Sequence, residues 1–205
     1  MLAAILRASR HFPDASHFPH HDHTPMNRTL ALPLVLALTT GCAGTRHAVQ
    51  LGVADLGGDY EPVEQQATLG WSMNRNVEES GIGYEIGAQV AGDTANVSGV
   101  DITSANFELY GGPRYEWVLD SVRPYLSGGL SLLTTELEGR VGTAGVTDND
   151  TTLGLYLGGG VDFDITERFF MGFGLRTAFG HEPELFGVEG DAAFTQFFLR
   201  IGSSF

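Results

Sequence analysis

One feature constrains this chain more than any other. Apolar and polar side chains alternate with a period of two, in eight separate runs after residue 47. Successive side chains of a strand point to opposite faces, so such alternation marks a strand whose faces meet different surroundings. The apolar members are Val49 to Val53, Leu69 to Met73, Ile82 to Val90, Phe107 to Trp117, Leu126 to Leu132, Leu153 to Ile165, Phe169 to Phe179 and Phe197 to Phe205. Between them stand residues such as Gln50, Ser72, Glu85, Gln89, Ser131, Tyr156 and Gln196. No comparable 3.6-residue periodicity follows residue 47. The expected fold is therefore all-β: eight antiparallel strands in up-and-down order, closed into a barrel.

The connections alternate in kind. Short turns are expected near Asn76 to Ser80, at Asp120-Ser121 and at Thr166-Glu167, and longer stretches rich in Gly, Asp, Glu and Thr join the other pairs. Short turns at one rim, long loops at the other and an even strand count are the layout of a membrane-spanning barrel. Runs of about ten residues suit tilted spanning strands of ~9–11 residues. A soluble calycin-like binder would turn the apolar face inward instead. Three features favour apolar-out. The polar face is rich in glycine (Gly83, Gly87, Gly154, Gly158, Gly160, Gly172, Gly174, Gly202), as a narrow interior requires. It carries both charge signs, with Glu85, Glu108, Glu116, Asp162 and Asp164 against Arg114, Arg168, Arg176 and Arg200. Enclosed, these groups can pair, since the arginine fork matches a carboxylate. The chain also ends on Phe205, in phase with Phe197, Leu199 and Ile201.

The N-terminal part reads differently. Residues 1–25 hold five of the seven histidines without periodicity and read as an upstream leader or misassigned start, disordered; a metal-binding tract is the alternative. Residues 26–41 read as a signal peptide, with Asn27-Arg28, an apolar stretch from Leu30 to Leu38, then Thr39-Thr40-Gly41 before Cys42. This segment resembles a bacterial lipoprotein signal, which implies lipidation of Cys42, although Thr39 stands where leucine is usual. Ordinary secretory cleavage nearby is the alternative. Residues 42–46 form a short linker and 47–205 the barrel. The longest apolar run is too short for a spanning helix. A net charge of −14, with eleven arginines and no lysine, excludes nucleic acid as partner. A single cysteine excludes an intrachain disulfide.

Over about residues 47–205 the chain resembles the small outer-membrane β-barrels of OmpA/OmpX type. The likeness is carried by Tyr110-Gly-Gly-Pro-Arg-Tyr115, Arg123-Pro-Tyr-Leu-Ser-Gly-Gly-Leu130, Gly158-Gly-Gly-Val-Asp-Phe163 and the terminal Phe205. It implies a monomer in the bacterial outer membrane with both barrel ends periplasmic, in contact with lipid and lipopolysaccharide. It also implies that Phe197, Leu199, Ile201 and Phe205 are read by the barrel assembly machinery. Trp71, Trp117, Phe163 and Phe169 fall with Phe205 near the short-turn rim, where an aromatic girdle belongs.

Reactive chemistry is sparse. Beyond the leader only His47 and His181 remain, no His-x-Ser motif occurs, and His181 reads as a loop residue rather than a hydrolase base. Asp148-Asn149-Asp150 opens like a calcium loop but lacks the glycine and distal glutamate, so a polar hairpin loop is expected. The long connections carry Asp55, Asp59, Glu61, Glu64, Asp93, Asp101, Glu136, Glu138, Asp148, Asp150, Glu182, Glu184, Glu189 and Asp191 against Arg140. They would either keep the surface soluble or bridge divalent cations to lipopolysaccharide phosphates. No cofactor, metal or catalytic residue is expected. The expected role is structural or surface-interacting, with a narrow solute channel and a lipid A-modifying enzyme as alternatives.

Overall fold

In the computed structural model the described residues are 44–57, 63–142 and 144–205. The leader, the signal segment, Cys42 and the loop acids Asp59 and Glu61 lie outside them. Each alternating run forms one strand: β1 (Thr45–Leu56), β2 (Gln65–Arg75), β3 (Gly81–Val97), β4 (Val100–Glu116), β5 (Val122–Val141), β6 (Ala144–Asp164), β7 (Phe169–Phe179) and β10 (Phe194–Ser204). Two-residue strands β8 (Glu184–Leu185) and β9 (Val188–Glu189) form a separate hairpin between β7 and β10. β1 to β7 pair antiparallel in sequence order, β7 pairs with β10, and β1 closes on β10 with Leu51 opposite Leu199 and Ala48 opposite Gly202. Closure pairs the strand edges over the height that all eight strands share, which is what allows strands to lie in lipid. β1 begins at Thr45, two residues ahead of the expected start.

The faces fall as the alternation requires. Leu51, Leu69, Ile86, Leu109, Leu130, Leu157, Phe173 and Leu199 are exposed on the outer wall. Gln50, Ser72, Glu85, Glu108, Ser131, Asp162, Gln196 and Arg200 are buried within. A soluble barrel would show the reverse, so the calycin-like alternative falls.

The connections correct one expectation. The stretches between β3 and β4 and between β5 and β6 are strand, not loop. β3–β6 run 17 to 21 residues, against 11 or 12 for β1, β2, β7 and β10. The barrel therefore has one tall wall and one short wall. The β3–β4 hairpin closes in two residues, Ser98 (φ 54°) and Gly99 (φ 86°), between the pair Val97 and Val100. Two successive left-handed residues give the turn that matches strand twist. Cross-strand hydroxyl pairs Thr94–Thr103 at 3.1 Å and Thr134–Thr151 at 2.9 Å continue the ladder where the outer face turns polar. The Asp148-Asn149-Asp150 segment accordingly sits on β6, opposite Leu137, Glu136 and Thr135.

Candidate functional site

The interior is filled, and its contents follow from which positions face inward. Towards the rim that bears the barrel ends, four arginines meet four carboxylates. Arg114 on β4 reaches Glu116 at 2.9 Å, Asp162 at 3.1 Å and Glu85 at 3.6 Å. Arg200 on β10 reaches Asp162 at 3.4 Å and donates to Asn74 Oδ1 at 3.2 Å. Arg46 spans from Glu116 at 3.4 Å to Asp164 at 2.7 Å. Arg123 binds Asp164 at 2.6 Å, Glu116 at 3.3 Å and the Val77 carbonyl at 2.8 Å. The tier is charge-balanced, as burial of ions demands.

A second tier lies further along the axis. Arg176 on β7 donates to Glu108 Oε2 and to Gln196 Oε1, both at 2.8 Å. Glu108 also accepts from Gln89 Nε2 at 2.8 Å and from the Ser131 hydroxyl at 2.6 Å. Polar side chains bridge the wall around it: Gln196 to Thr68 at 2.7 Å, Gln50 to Ser72 at 3.0 Å, and Tyr110 Oη to Gln50 at 3.3 Å.

Aromatic rings occupy the space between the ions. Tyr125 stacks on Arg114 at 3.5 Å, Tyr110 on Arg176 at 3.9 Å and Phe170 on Arg46 at 4.0 Å. Each ring needs a wall without a side chain. A Cβ at Gly87 would enter the Tyr110 ring, one at Gly174 would meet Phe198 and Tyr125, and one at Gly202 would meet Phe170. The inward glycines are the sockets of the inward rings.

The expected interior charges Glu85, Glu108, Arg114, Glu116, Asp162, Arg176 and Arg200 are brought together and buried. Asp164 lies half-buried at the rim, where it joins Arg46 to Arg123. Arg168 is a correction. It sits in the β6–β7 turn, one residue before β7 begins, and is exposed to solvent. Arg46 and Arg123 are interior members that the sequence reading passed over. Both are in phase with inward residues of their strands, Ala48 and Gln50 for one, Tyr125 and Ser127 for the other.

At the opposite rim the mouth is covered. The segment between β7 and β10 folds across it and places Leu185 in an apolar cluster with Val63, Ile102 and Leu137. His181, expected as a loop residue, is fully buried here, with Nε2 3.1 Å from Ser131 Oγ and Nδ1 3.0 Å from Thr152 Oγ1. Ser131 gives its hydroxyl hydrogen to Glu108, which leaves its oxygen to accept from His181 Nε2. Burial holds the imidazole below its ordinary pKa.

The outer rings gather at the end-bearing rim. Trp117 packs edge-on to Tyr115 at 4.7 Å, Phe163 lies 6.2 Å from Phe173, Phe169 is exposed, and His47 stands between Trp71 (5.8 Å) and Phe205 (5.5 Å). Phe197, Leu199 and Ile201 point outward on β10. The Phe205 amide donates to the Thr45 carbonyl at 2.9 Å.

An apolar outer wall, a charge-paired interior and a closed eight-strand sheet define a membrane-spanning β-barrel. The chain belongs to the outer membrane protein beta-barrel domain family, which it matches over residues 34–205. Among solved structures it is similar to Neisserial surface protein A, at 13% identity over 81% of this chain and 100% of that one, with a TM-score of 0.55. It is also similar to Ail, the attachment invasion locus protein of Yersinia pestis, at 11% identity over 79% of this chain and 99% of that one, with a TM-score of 0.53. These likenesses show the shared eight-stranded fold. Comparison with curated proteins finds no match.

Proposed function

We propose that the protein is a monomeric, non-enzymatic outer-membrane barrel that does not conduct and serves a structural or surface-interaction role. The supporting observation is the filled interior: two tiers of paired ions, with rings stacked between them, cross the barrel from wall to wall. Solute flux needs a continuous path, and each tier interrupts it. The end-bearing rim is assigned to the periplasm, so the tall β3–β6 wall with Asp93, Asp101, Glu136 and Glu138 stands outside the cell among lipopolysaccharide. Phe197, Leu199, Ile201 and Phe205 are assigned as the signal for the assembly machinery, Trp71, Trp117, Phe163 and Phe169 as an interfacial girdle, and Cys42 as a lipid anchor. Ser131 supports no nucleophilic role: it is buried among wall side chains and its proton is committed to Glu108.

Planar-bilayer recording on refolded protein tests this reading. The expected trace shows no steps above baseline, while the same preparation shows the heat-dependent gel shift of a folded barrel. Regular unitary steps from that material would replace the reading with a narrow channel.

A further inference from the structure

The segment that covers the mouth is held by side chains rather than by the barrel ladder. It leaves β7 at Gly180, which has φ +76° and nothing within 4 Å of a Cβ there. It returns through Ala193, whose carbonyl accepts from Gly57 N–H at 2.8 Å. Between these points, two of its amides rest on carboxylates of the tall wall: Glu184 N–H on Asp150 at 2.9 Å and Phe186 N–H on Asp148 at 2.6 Å. Leu185 enters the apolar cluster, and Ala192 N–H donates to the His181 carbonyl at 2.9 Å. The His181 ring goes deepest. Its socket is made for it, because a Cβ at Gly154 would lie 2.7 Å from Nε2 and 2.8 Å from Cε1. Within the barrel walls, between Leu56, Gln66, Gln89, Asn106, Leu133 and Phe194, lies a mostly apolar cavity with room for about one water molecule, to which residues 180–193 contribute no lining. Gln89 Oε1 and Asn106 Oδ1 are buried without a partner among the described residues.

We propose that residues 180–193 form a lid over the barrel mouth, latched by the neutral imidazole of His181 and released when that ring gains a proton. The charges around the ring decide the direction. Glu108 from β4 is its nearest carboxylate neighbour across Ser131, but Arg176 from β7 already neutralises it. β5 and β6 present Ser131 and Thr152, neither of which is ionisable at these pH values, and Asp150 lies further out on the Glu184 amide. Asp191 contributes from the lid itself. Burial outweighs the pull of Glu108, the Thr152 backbone and Asp191, so the closed state favours the neutral ring. A group depressed in the closed state withdraws its stabilisation as pH falls below its free value of ~6.5. Between about pH 7.5 and about pH 5.0 the opening equilibrium can therefore rise up to ~30-fold. This lid is independent of whether the barrel conducts.

Hydrogen exchange of the full-length refolded protein, corrected for the intrinsic pH dependence of exchange, tests the lid. The Glu184, Phe186 and Ala192 amides should be protected at neutral pH and lose about ten- to thirty-fold in protection at about pH 5. The Leu51 and Leu199 amides in the barrel ladder should not change. His181→Asn cannot take up the proton, and its lid protection should be the same at both pH values. Thr152→Val removes one latch contact and should lower lid protection at neutral pH while the heat-dependent gel shift stays intact. Three results would each overturn the proposal: wild-type lid protection independent of pH, an acid release that survives in His181→Asn and so belongs to Asp148 and Asp150, or unchanged protection in Thr152→Val.

Discussion

Arg176→Met should be among the most damaging single substitutions in the barrel. Arg176 is 3% exposed and touches Glu108 at 2.8 Å, Gln196 at 2.8 Å and the face of Tyr110 at 3.9 Å. Methionine keeps the aliphatic stem and its packing but removes the charge. Glu108 would then keep only Gln89 and Ser131 as partners in the wall. Removing one partner of a buried pair typically costs ~3–5 kcal/mol, because the other charge is left uncompensated. The lost ring contact adds about 1–2 kcal/mol when desolvated. Arg140→Leu is the control, since Arg140 is 58% exposed in its pair with Glu138 and such pairs contribute ~0–1 kcal/mol. Glu108→Gln with Arg176→Met removes both charges together and should recover much of the loss, because no ion is stranded. Urea titration of protein folded into lipid vesicles, read by the gel shift, gives the midpoints of the wild type, Arg176→Met, Glu108→Gln, their double variant and Arg140→Leu. Equal midpoints for Arg176→Met and Arg140→Leu would refute the argument, as would a double variant as weak as the sum of the singles.

Other expectations concern the sockets, a turn and the chain ends. Gly174→Ala should destabilise by about 1–3 kcal/mol, because its methyl meets Phe198 and Tyr125, while Gly145→Ala should be silent; matched urea midpoints would contradict this. Gly99→Ala should cost ~1–2 kcal/mol by placing a Cβ at φ 86° in the β3–β4 turn, and the same titration reads it. Deleting Phe205 should lower the fraction of heat-shifted protein in cells far more than the yield of refolding in vitro; equal losses would assign Phe205 a purely structural role. Metabolic palmitate labelling should be lost in Cys42→Ala, and equal labelling would discard the anchor.

Much of the fold is legible in the chain because the membrane forces it. A strand in lipid must show apolar residues on every second position, and the runs from Leu69 to Met73 or Phe169 to Leu175 show nothing else. The signal fades where the lipid ends. Above Leu132 and Leu153 both faces of β5 and β6 meet water or the lid, so Thr134, Glu136, Glu138, Asn149 and Thr151 look like loop although backbone pairing continues through them. The interior charges were readable by phase, but phase alone decides neither where a strand starts nor where it ends. Arg168 shares the inward phase and fails because β7 begins one residue later. Arg46 was missed because it precedes the first apolar member of β1, and Arg123 because it follows directly on a turn. His181 gave no local sign of burial. Its socket is assembled from Gly154, Ser131 and Thr152, which only the barrel register brings together.

The central claim is that the apolar face of every strand meets lipid and the charged face meets the other walls. Spin labels on single cysteines along β5, from Tyr125 to Leu132 in a Cys42→Ser background in lipid bilayers, test it directly. Oxygen accessibility should alternate with period two, with maxima at Leu126, Gly128, Leu130 and Leu132 and minima at Tyr125, Ser127, Gly129 and Ser131. A flat profile, or maxima on Tyr125, Ser127, Gly129 and Ser131, would contradict it.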